Sequence, residues 1–225
     1  MTGRTVIIAG ATGLVGREIL AGLLADRTVI AVHSLGRRRP PIEHPKLTAH
    51  VVDFAALPAL PSADEVYLAL GTTIKVAGSQ AAFRAIDHDA NLAVARAALA
   101  AGARRAGLVS AMGADARSMV FYSRVKGELE DALAQMPFEG LIIARPSMLV
   151  GDREALGQPT RRGEVWASAL GKALGFLIPP NYKPIEAAAV AGALLRAVPS
   201  GKGMTVLPSG ELRRFRARSV SSPVK

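Results

Sequence analysis

A tyrosine and a lysine stand four residues apart in a segment with a helical pattern. Tyr122 and Lys126 would therefore project from one face of the same helix. A neighbouring ammonium favours phenolate over phenol, so such a tyrosine can protonate an alkoxide that develops during carbonyl reduction. The lysine could also bind the ribose hydroxyls of a nicotinamide cofactor. Ser110 closes the preceding predicted strand, where its hydroxyl either donates to a substrate oxygen or caps a turn. The residues predicted to be catalytic are Ser110, Tyr122 and Lys126.

A glycine-rich turn, GATGLVG at residues 10–16, follows the first predicted strand. Gly10 permits the tight turn, Gly13 lets backbone N–H groups approach a pyrophosphate, and Gly16 lets the helix pack on the strand. The helix N-terminus adds free donors and a favourable dipole. The pattern is also compatible with a plain turn, but its place in a strand–helix unit favours dinucleotide binding. The residues predicted to bind the cofactor here are Gly10, Thr12, Gly13, Leu14, Val15 and Gly16.

The end of the second predicted strand distinguishes between the two nicotinamide dinucleotides. An acid there would bind the ribose of NAD, whereas this chain has Arg37 and Arg38, whose guanidinium groups suit a 2′-phosphate. The sequence therefore predicts NADP(H), with NAD(H) still possible. Asp53, after the third strand, either accepts a hydrogen bond from the adenine amino group or serves as a turn residue. The remaining predicted cofactor contacts follow other strands: Phe54, Leu70, Gly71, Thr72 and Pro146, together with Tyr122 and Lys126.

Short apolar runs alternate with longer helical patterns along most of the chain. Near-continuous apolar strands separated by helices are typical of a doubly wound, mostly parallel α/β sheet. The predicted strands are 5–9, 28–35, 47–52, 65–70, 105–110, 140–144 and 204–207, and the predicted helices are 15–25, 79–101, 118–135, 164–174 and 185–197. We predict one domain over residues 1–225, with a loop at 151–163, a small substrate-side segment at 151–212 and a flexible basic tail at 213–225.

Composition excludes several classes of protein. The 225 residues are 50% hydrophobic and contain no cysteine, which excludes a disulfide scaffold, a thiolate metal site and a cysteine nucleophile. The four histidines have no ligand spacing, so no metal is predicted. No apolar run reaches the roughly 20 residues of a membrane span, and no signal peptide is evident, so we expect a cytoplasmic protein.

The net charge of +10 raises the question of a nucleic-acid partner. Residues 201–225 carry six basic groups and one acidic group, so half of the net charge lies in this short C-terminal stretch. Only 4% of the residues are aromatic and no reading motif is present. A solvated basic end is therefore favoured over nucleic-acid binding.

These segments together resemble the atypical short-chain dehydrogenase/reductase superfamily, in particular the Tat-interacting oxidoreductases and their bacterial relatives. The resemblance rests on GATGLVG (10–16), LGRR (35–38), VDF (52–54), ALGTT (69–73), SAMGAD (110–115), YSRVKGELE (122–130) and RPSMLVGDR (145–153). It implies a Rossmann fold, NADP(H) at the glycine turn and the Arg37–Arg38 segment, and a Ser–Tyr–Lys set at Ser110, Tyr122 and Lys126. Residues 154–164 depart from the usual family stretch, which weakens any inference about the substrate.

The leading prediction is an NADP(H)-dependent oxidoreductase that acts on a small carbonyl or alcohol. Tyr122 would donate or accept the proton, Lys126 would tune it, and Ser110 would orient the substrate oxygen. The alternative is a non-catalytic NADPH-binding regulatory or scaffold protein, because a fold alone does not fix a function.

Overall fold

The computed structural model describes residues 3–150 and 180–215. Seven strands form one sheet in the order β3-β2-β1-β4-β5-β6-β9, and every neighbouring pair is parallel. Two further strands, β7 and β8, form a small parallel pair. The strands are β1 (Arg4–Ala9), β2 (Val29–Gly36), β3 (Leu47–Val51), β4 (Glu65–Leu68), β5 (Arg105–Val109), β6 (Gly140–Arg145), β7 (Leu149–Val150), β8 (Ile185–Glu186) and β9 (Gly203–Pro208).

Helices cover both faces of the large sheet, which confirms the predicted doubly wound α/β fold. Apolar residues of α1 and α6 bury one face, and those of α4 and α5 bury the other. The α-helices are α1 (Leu14–Ala25), α2 (Ile74–Ala77), α3 (Gln80–Arg84), α4 (Asn91–Ala100), α5 (Phe121–Ala134), α6 (Ala187–Ala197) and α7 (Ser209–Leu212). Short 3₁₀ turns occupy Pro180–Tyr182, Val198–Ser200 and Arg213–Phe215.

The strand order reverses between β1 and β4, because the chain winds outward from β1 in both directions. In an open parallel sheet, such a switch point leaves a crevice at the carboxyl ends of the strands, and ligands bind there. The glycine turn after β1 and the loop after β4 both open into this crevice.

The long helix predicted over 79–101 is interrupted in the structure. Ser79 caps its start by accepting a hydrogen bond from the Ala82 N–H at 3.1 Å, and Gly102 ends it with a φ of 99°. Between α3 and α4, however, Ala85–Ala90 form a π-helix. The alanine-rich pattern alone does not distinguish the two helix types, since the wider turn depends on contacts to other elements.

Three other predicted boundaries differ from the structure by two residues or more. The helix predicted from Ser118 starts at Phe121, because the Ser118 hydroxyl accepts from the Val120 N–H at 3.1 Å and forms a separate turn. The helix predicted from residue 185 starts at 187, because Ile185–Glu186 pair with β7. The fourth strand ends at Leu68, two residues early.

The predicted loop 151–163, the helix 164–174 and tail residues 216–225 lie outside the described residues. Within the described ranges, no helix is long and apolar enough to cross a membrane.

Candidate functional site

The glycine turn is closely packed against the end of β4. Gly10 has a φ of 90°, and a Cβ there would lie 2.4 Å from the Ala69 carbonyl oxygen. A Cβ at Gly16 would lie 2.0 Å from the Gly10 carbonyl oxygen. Both positions therefore require glycine, the first because of its conformation as well.

The N-terminus of α1 offers its backbone donors to the crevice. The cap residue, Gly13, supplies no side-chain acceptor, and the first turn contains no acidic residue. A Cβ at Gly13 would meet the Gly10 carbonyl oxygen only at 3.4 Å, the edge of ordinary contact. The unpaired N–H groups of the first helical turn, which includes Leu14 and Val15, can therefore receive a phosphate. These features fit a dinucleotide pyrophosphate.

The arginines after β2 are available for a further phosphate. Arg37, Arg38 and Arg39 are all exposed, and within the part of the chain that is described none of them forms an ion pair. Asp53 is exposed and acts as a turn residue, because its Oδ1 accepts from the Ala55 N–H at 2.9 Å. Its second carboxylate oxygen leaves the predicted adenine contact open. Phe54 packs against the apolar core beside β1 and β4.

The loop after β4 is anchored to the π-helix and to the first residue of α4. The Leu70 carbonyl accepts from Asn91 Nδ2 at 3.1 Å, and the Thr72 N–H donates to Asp87 Oδ2 at 2.8 Å. Gly71, between them, is exposed. The loop is thus held at its backbone, and the Thr72 hydroxyl lies 3.5 Å from the Thr73 carbonyl oxygen.

Lys126 is buried against the same π-helix. Its Nζ lies 2.7 Å from Asp87 Oδ1, and the two side chains are only 5% and 1% exposed. Burial raises the pKa of Asp87, and the Lys126 charge offsets that effect only in part. Asp87 therefore joins the predicted catalytic lysine to the loop that carries Thr72.

Tyr122 lies one turn before Lys126 on α5. Its ring is half-buried and packs against Phe83 with the ring centroids 5.4 Å apart. Among residues 3–150 and 180–215, none forms a hydrogen bond with its hydroxyl. The hydroxyl is therefore available to a ligand.

Ser110 has a different environment. It is 5% exposed, and its hydroxyl donates to the Glu130 carboxylate. Glu130 is also paired with Arg145, whose Nε lies 3.1 Å from both carboxylate oxygens. Pro146 is buried beside this network, and its carbonyl accepts from the Met112 N–H at 2.8 Å. The Ser110 hydroxyl thus directs its hydrogen bond to Glu130, and the predicted role of Ser110 toward a substrate stays a prediction.

A cavity of about 490 Å³ lies beside this network and is lined by charged side chains, among them Asp115, Asp131 and Arg145. Gly127 forms part of its wall. A Cβ at Gly127 would lie 2.1 Å from the Ala116 backbone nitrogen, so α5 and the turn after β5 are in direct backbone contact.

Sequence reasoning overlooked three buried polar residues of this region: Asp87, Asn91 and Glu130. Asp87 and Asn91 stand four apart in an alanine-rich helical stretch. Polar residues at this spacing in an otherwise apolar pattern are the signal that could have identified them, because buried polar groups need partners.

Comparisons with known proteins support a nicotinamide dinucleotide site. A family described as NAD(P)H-binding matches residues 10–164. Among curated proteins, the chain is 37% identical over 195 residues to Protein FMP52, mitochondrial, from Coccidioides immitis, with 80% of this chain and 78% of the relative covered. A second FMP52 protein, from Emericella nidulans, is 36% identical over 180 residues, with 74% and 76% covered. These names state no reaction.

Solved structures show the same fold at low sequence identity. MoeE5 in complex with UDP-glucose and NAD superimposes with a TM-score of 0.65 at 16% identity, covering 91% of this chain and 76% of its own. A UDP-N-acetylglucosamine 4-epimerase from Methanobrevibacter ruminantium M1 gives a TM-score of 0.66 at 14% identity, covering 92% and 77%. At these identities the likeness concerns the fold alone.

The comparisons also correct the predicted cytoplasmic location. The curated relatives are named mitochondrial proteins, and this finding overturns the prediction. The physical reason is that the prediction relied on finding no membrane span and no signal peptide, and neither observation identifies a compartment. The resemblance that the motifs indicated is confirmed, and the chain belongs to the NAD(P)H-binding family of Rossmann-fold proteins.

Proposed function

We propose that the protein is an NADP(H)-dependent oxidoreductase that acts on a small carbonyl or alcohol. One observation carries the proposal: a continuous series of contacts joins the glycine turn to Lys126. Gly10 packs on Ala69, Thr72 lies three residues further along the same loop, and Asp87 links the Thr72 N–H to the Lys126 ammonium. The predicted phosphate site and the predicted catalytic helix thus meet at one sheet edge.

The residues of the site have separate roles in this proposal. The N-terminus of α1 binds the pyrophosphate, and Arg37 and Arg38 bind the 2′-phosphate that distinguishes NADP from NAD. The cofactor, when bound, supplies or accepts a hydride. Tyr122 donates its proton to the substrate oxygen in reduction and takes it back in oxidation. Lys126, paired with Asp87, would bind the ribose hydroxyls of the cofactor and stabilise the Tyr122 phenolate.

Of the three predicted catalytic residues, Ser110 is the one whose hydroxyl already donates to another side chain. Its hydroxyl could orient the substrate oxygen only by leaving Glu130, to which it donates. We therefore assign proton transfer to Tyr122 alone and treat the contribution of Ser110 as a separate proposal.

The Tyr122→Phe variant tests the proposed chemistry. General acid catalysis contributes about 10²- to 10⁴-fold, so turnover of a carbonyl panel with NADPH should fall by at least about 100-fold. NADPH affinity and the melting temperature should not change, because the hydroxyl has no hydrogen-bond partner in the described structure.

Ser123→Ala is the matched control, since it deletes a hydroxyl from the next position of α5, about 100° around the helix. Wild-type turnover in Tyr122→Phe would refute the mechanism.

The bond from Ser110 to Glu130 favours a second candidate function, a non-catalytic NADPH-binding regulator. If the Ser110 hydroxyl of the Ser–Tyr–Lys set is hydrogen-bonded to the buried Glu130 carboxylate, the site can still bind a cofactor but does not orient a substrate. Tight NADPH binding in a thermal-shift assay, together with no turnover across aldehydes, ketones and alcohols, would establish this alternative.

A further inference from the structure

Asp87 is a buried acid in contact with the predicted catalytic lysine. It lies in the π-helix between α3 and α4, and its side chain is 1% exposed. A carboxylate is seldom buried to this extent unless it is paired. The residues that pair with the Asp87 carboxylate therefore indicate its role.

Both carboxylate oxygens of Asp87 are engaged, and by different elements. Oδ1 lies 2.7 Å from Lys126 Nζ on α5, and Oδ2 accepts from the Thr72 N–H at 2.8 Å in the loop after β4. Glu130 lies four residues after Lys126 on the same helix, at a spacing that often gives an ion pair. Glu130 instead pairs with Arg145, so Asp87 is the acid that fixes Lys126.

The position of Asp87 is itself held by the wide helical turn. Asn91 Nδ2 donates to the Leu70, Ile86 and Asp87 carbonyls at 3.1, 3.3 and 3.2 Å. These bonds connect the π-helix to the loop after β4 at a second point. Single π-turns inside helices occur frequently at functional sites.

Within the described ranges, the neighbouring acids and bases have partners of their own. Glu130 pairs with Arg145, Arg84 with Glu128, and the His88 ring contacts Asp89. Tyr122 lies one turn before Lys126 on α5. Among the described residues, Asp87 is therefore the acid that pairs with Lys126.

We propose that Asp87 is a positioning residue, which keeps Lys126 in its ammonium form and in register with the loop at Thr72, so that the lysine can act on Tyr122 and on the cofactor ribose. This inference deepens the proposed function and rests on it. Asp87 acts through Lys126 and has no contact with the substrate. Without its charge, burial disfavours the ammonium, and Tyr122 loses the neighbouring cation.

The test is a titration of Lys126 by NMR of the lysine ¹³Cε–¹Hε signals, assigned with the Lys126→Arg variant. In Asp87→Asn the midpoint should move to lower pH by at least about one unit, a tenfold change in the dissociation constant. Asp89→Asn is the matched control, because Asp89 belongs to the same π-helix but its side chain is 59% exposed and pairs with His88. An unchanged midpoint in Asp87→Asn would overturn the proposal.

The titration needs no substrate, so it tests the role of Asp87 even if the protein has no turnover. Failure of the Asp87 proposal can therefore be distinguished from failure of the proposed oxidoreductase function. If turnover is found, the basic limb of the pH profile for reduction should move to higher pH in Asp87→Asn, as Tyr122 holds its proton longer. A merely structural role would leave that limb in place.

A second variant covers the case in which Asp87→Asn does not fold. Asp87→Asn combined with Lys126→Met removes the orphaned charge together with its partner. Recovery of folding in the double variant supports the proposal, because the lysine charge then caused the defect. A double variant that also fails to fold would assign Asp87 to structure alone and refute the proposal.

Discussion

The two edges of the large sheet differ in how many donors they leave for a ligand. At the amino edge, the Arg4 guanidinium lies 2.7 Å from both Glu65 oxygens and 2.6 Å from Asp26 Oδ2. At the carboxyl edge, Lys126 and Arg145 are paired, but the first turn of α1, the exposed Arg37 and Arg38 and the Tyr122 hydroxyl have no acceptor among the described residues. Arg4 is thus bound by acids of the protein itself, whereas the carboxyl edge has donors left for a ligand.

The pKa values of Asp26, at the amino edge, and Asp87, at the carboxyl edge, shift in opposite directions. Burial opposes ionisation of Asp26, but donors from Thr28 and the charge of Arg4 outweigh it, so its pKa is lowered. Burial raises the pKa of Asp87 despite the Lys126 charge. The comparison indicates that ionised Asp26 contributes to stability at the amino edge, while ionised Asp87 at the carboxyl edge is opposed by its burial.

The largest expected effect that separates the two edges comes from Glu65→Gln. Glu65 is fully buried, and breaking a buried ion pair costs about 3–5 kcal/mol. The free energy of unfolding, measured by urea denaturation, should fall by about 3 kcal/mol, while NADPH affinity should not change. Glu43→Gln, at an exposed position, is the control. A loss of NADPH affinity with unchanged stability would break the comparison.

The next effect concerns the arginines after β2. Replacing Arg37 and Arg38 together by alanine should weaken NADPH binding by about 10- to 100-fold, because one hydrogen bond to a charged group contributes about 1.5–3 kcal/mol and solvent screening at these exposed positions keeps the pair near that value. NADH binding should change little, since NADH has no 2′-phosphate. Fluorescence titration with both cofactors measures this, and Arg39→Ala is the control. Equal losses for both cofactors would exclude 2′-phosphate recognition by this pair.

Ser110→Ala distinguishes a structural from a substrate-orienting serine. Because the hydroxyl donates to the Glu130 carboxylate, we expect a loss of about 1.5 kcal/mol in the free energy of unfolding and less than a tenfold change in kcat, with Ser123→Ala as control. Thermal unfolding and steady-state kinetics provide the two readouts. A 100-fold fall in kcat at unchanged stability would restore Ser110 as the orienting group.

The smallest effect is the pH dependence of stability through Asp26. Its pKa is lower in the folded than in the unfolded protein, so its contribution is present above the unfolded value of about 3.9 and is lost as pH falls through the folded value. The difference in stability between wild type and Asp26→Asn should therefore shrink below about pH 4. It should stay below about 1 kcal/mol, because solvent screens a side chain that is 37% exposed. A difference that grows on acidification would contradict this sign.

The sheet and the glycine turn could be predicted from the sequence because each depends on local pattern. Buried parallel strands are continuous apolar runs, and Gly10 and Gly16 are required by the geometry of a single turn. The partners of Lys126 and Ser110 could not be predicted in the same way. Asp87 stands 39 residues before Lys126 in the chain, and Glu130 stands 20 residues after Ser110. Only the packing of the helices brings each pair into contact.

The π-helix at Ala85–Ala90 makes the length of this segment as important as its composition. Each residue of an α-helix adds about 100° of rotation, and a π-turn is in effect an α-helix that has accommodated one additional residue. Deleting a single alanine from this stretch would let it relax to an α-helix and turn Asp87 away from the face that Asn91 occupies. Substitutions at its exposed positions should therefore be tolerated, whereas a deletion should not be, and relatives of different length here should differ in how the residue equivalent to Lys126 is held.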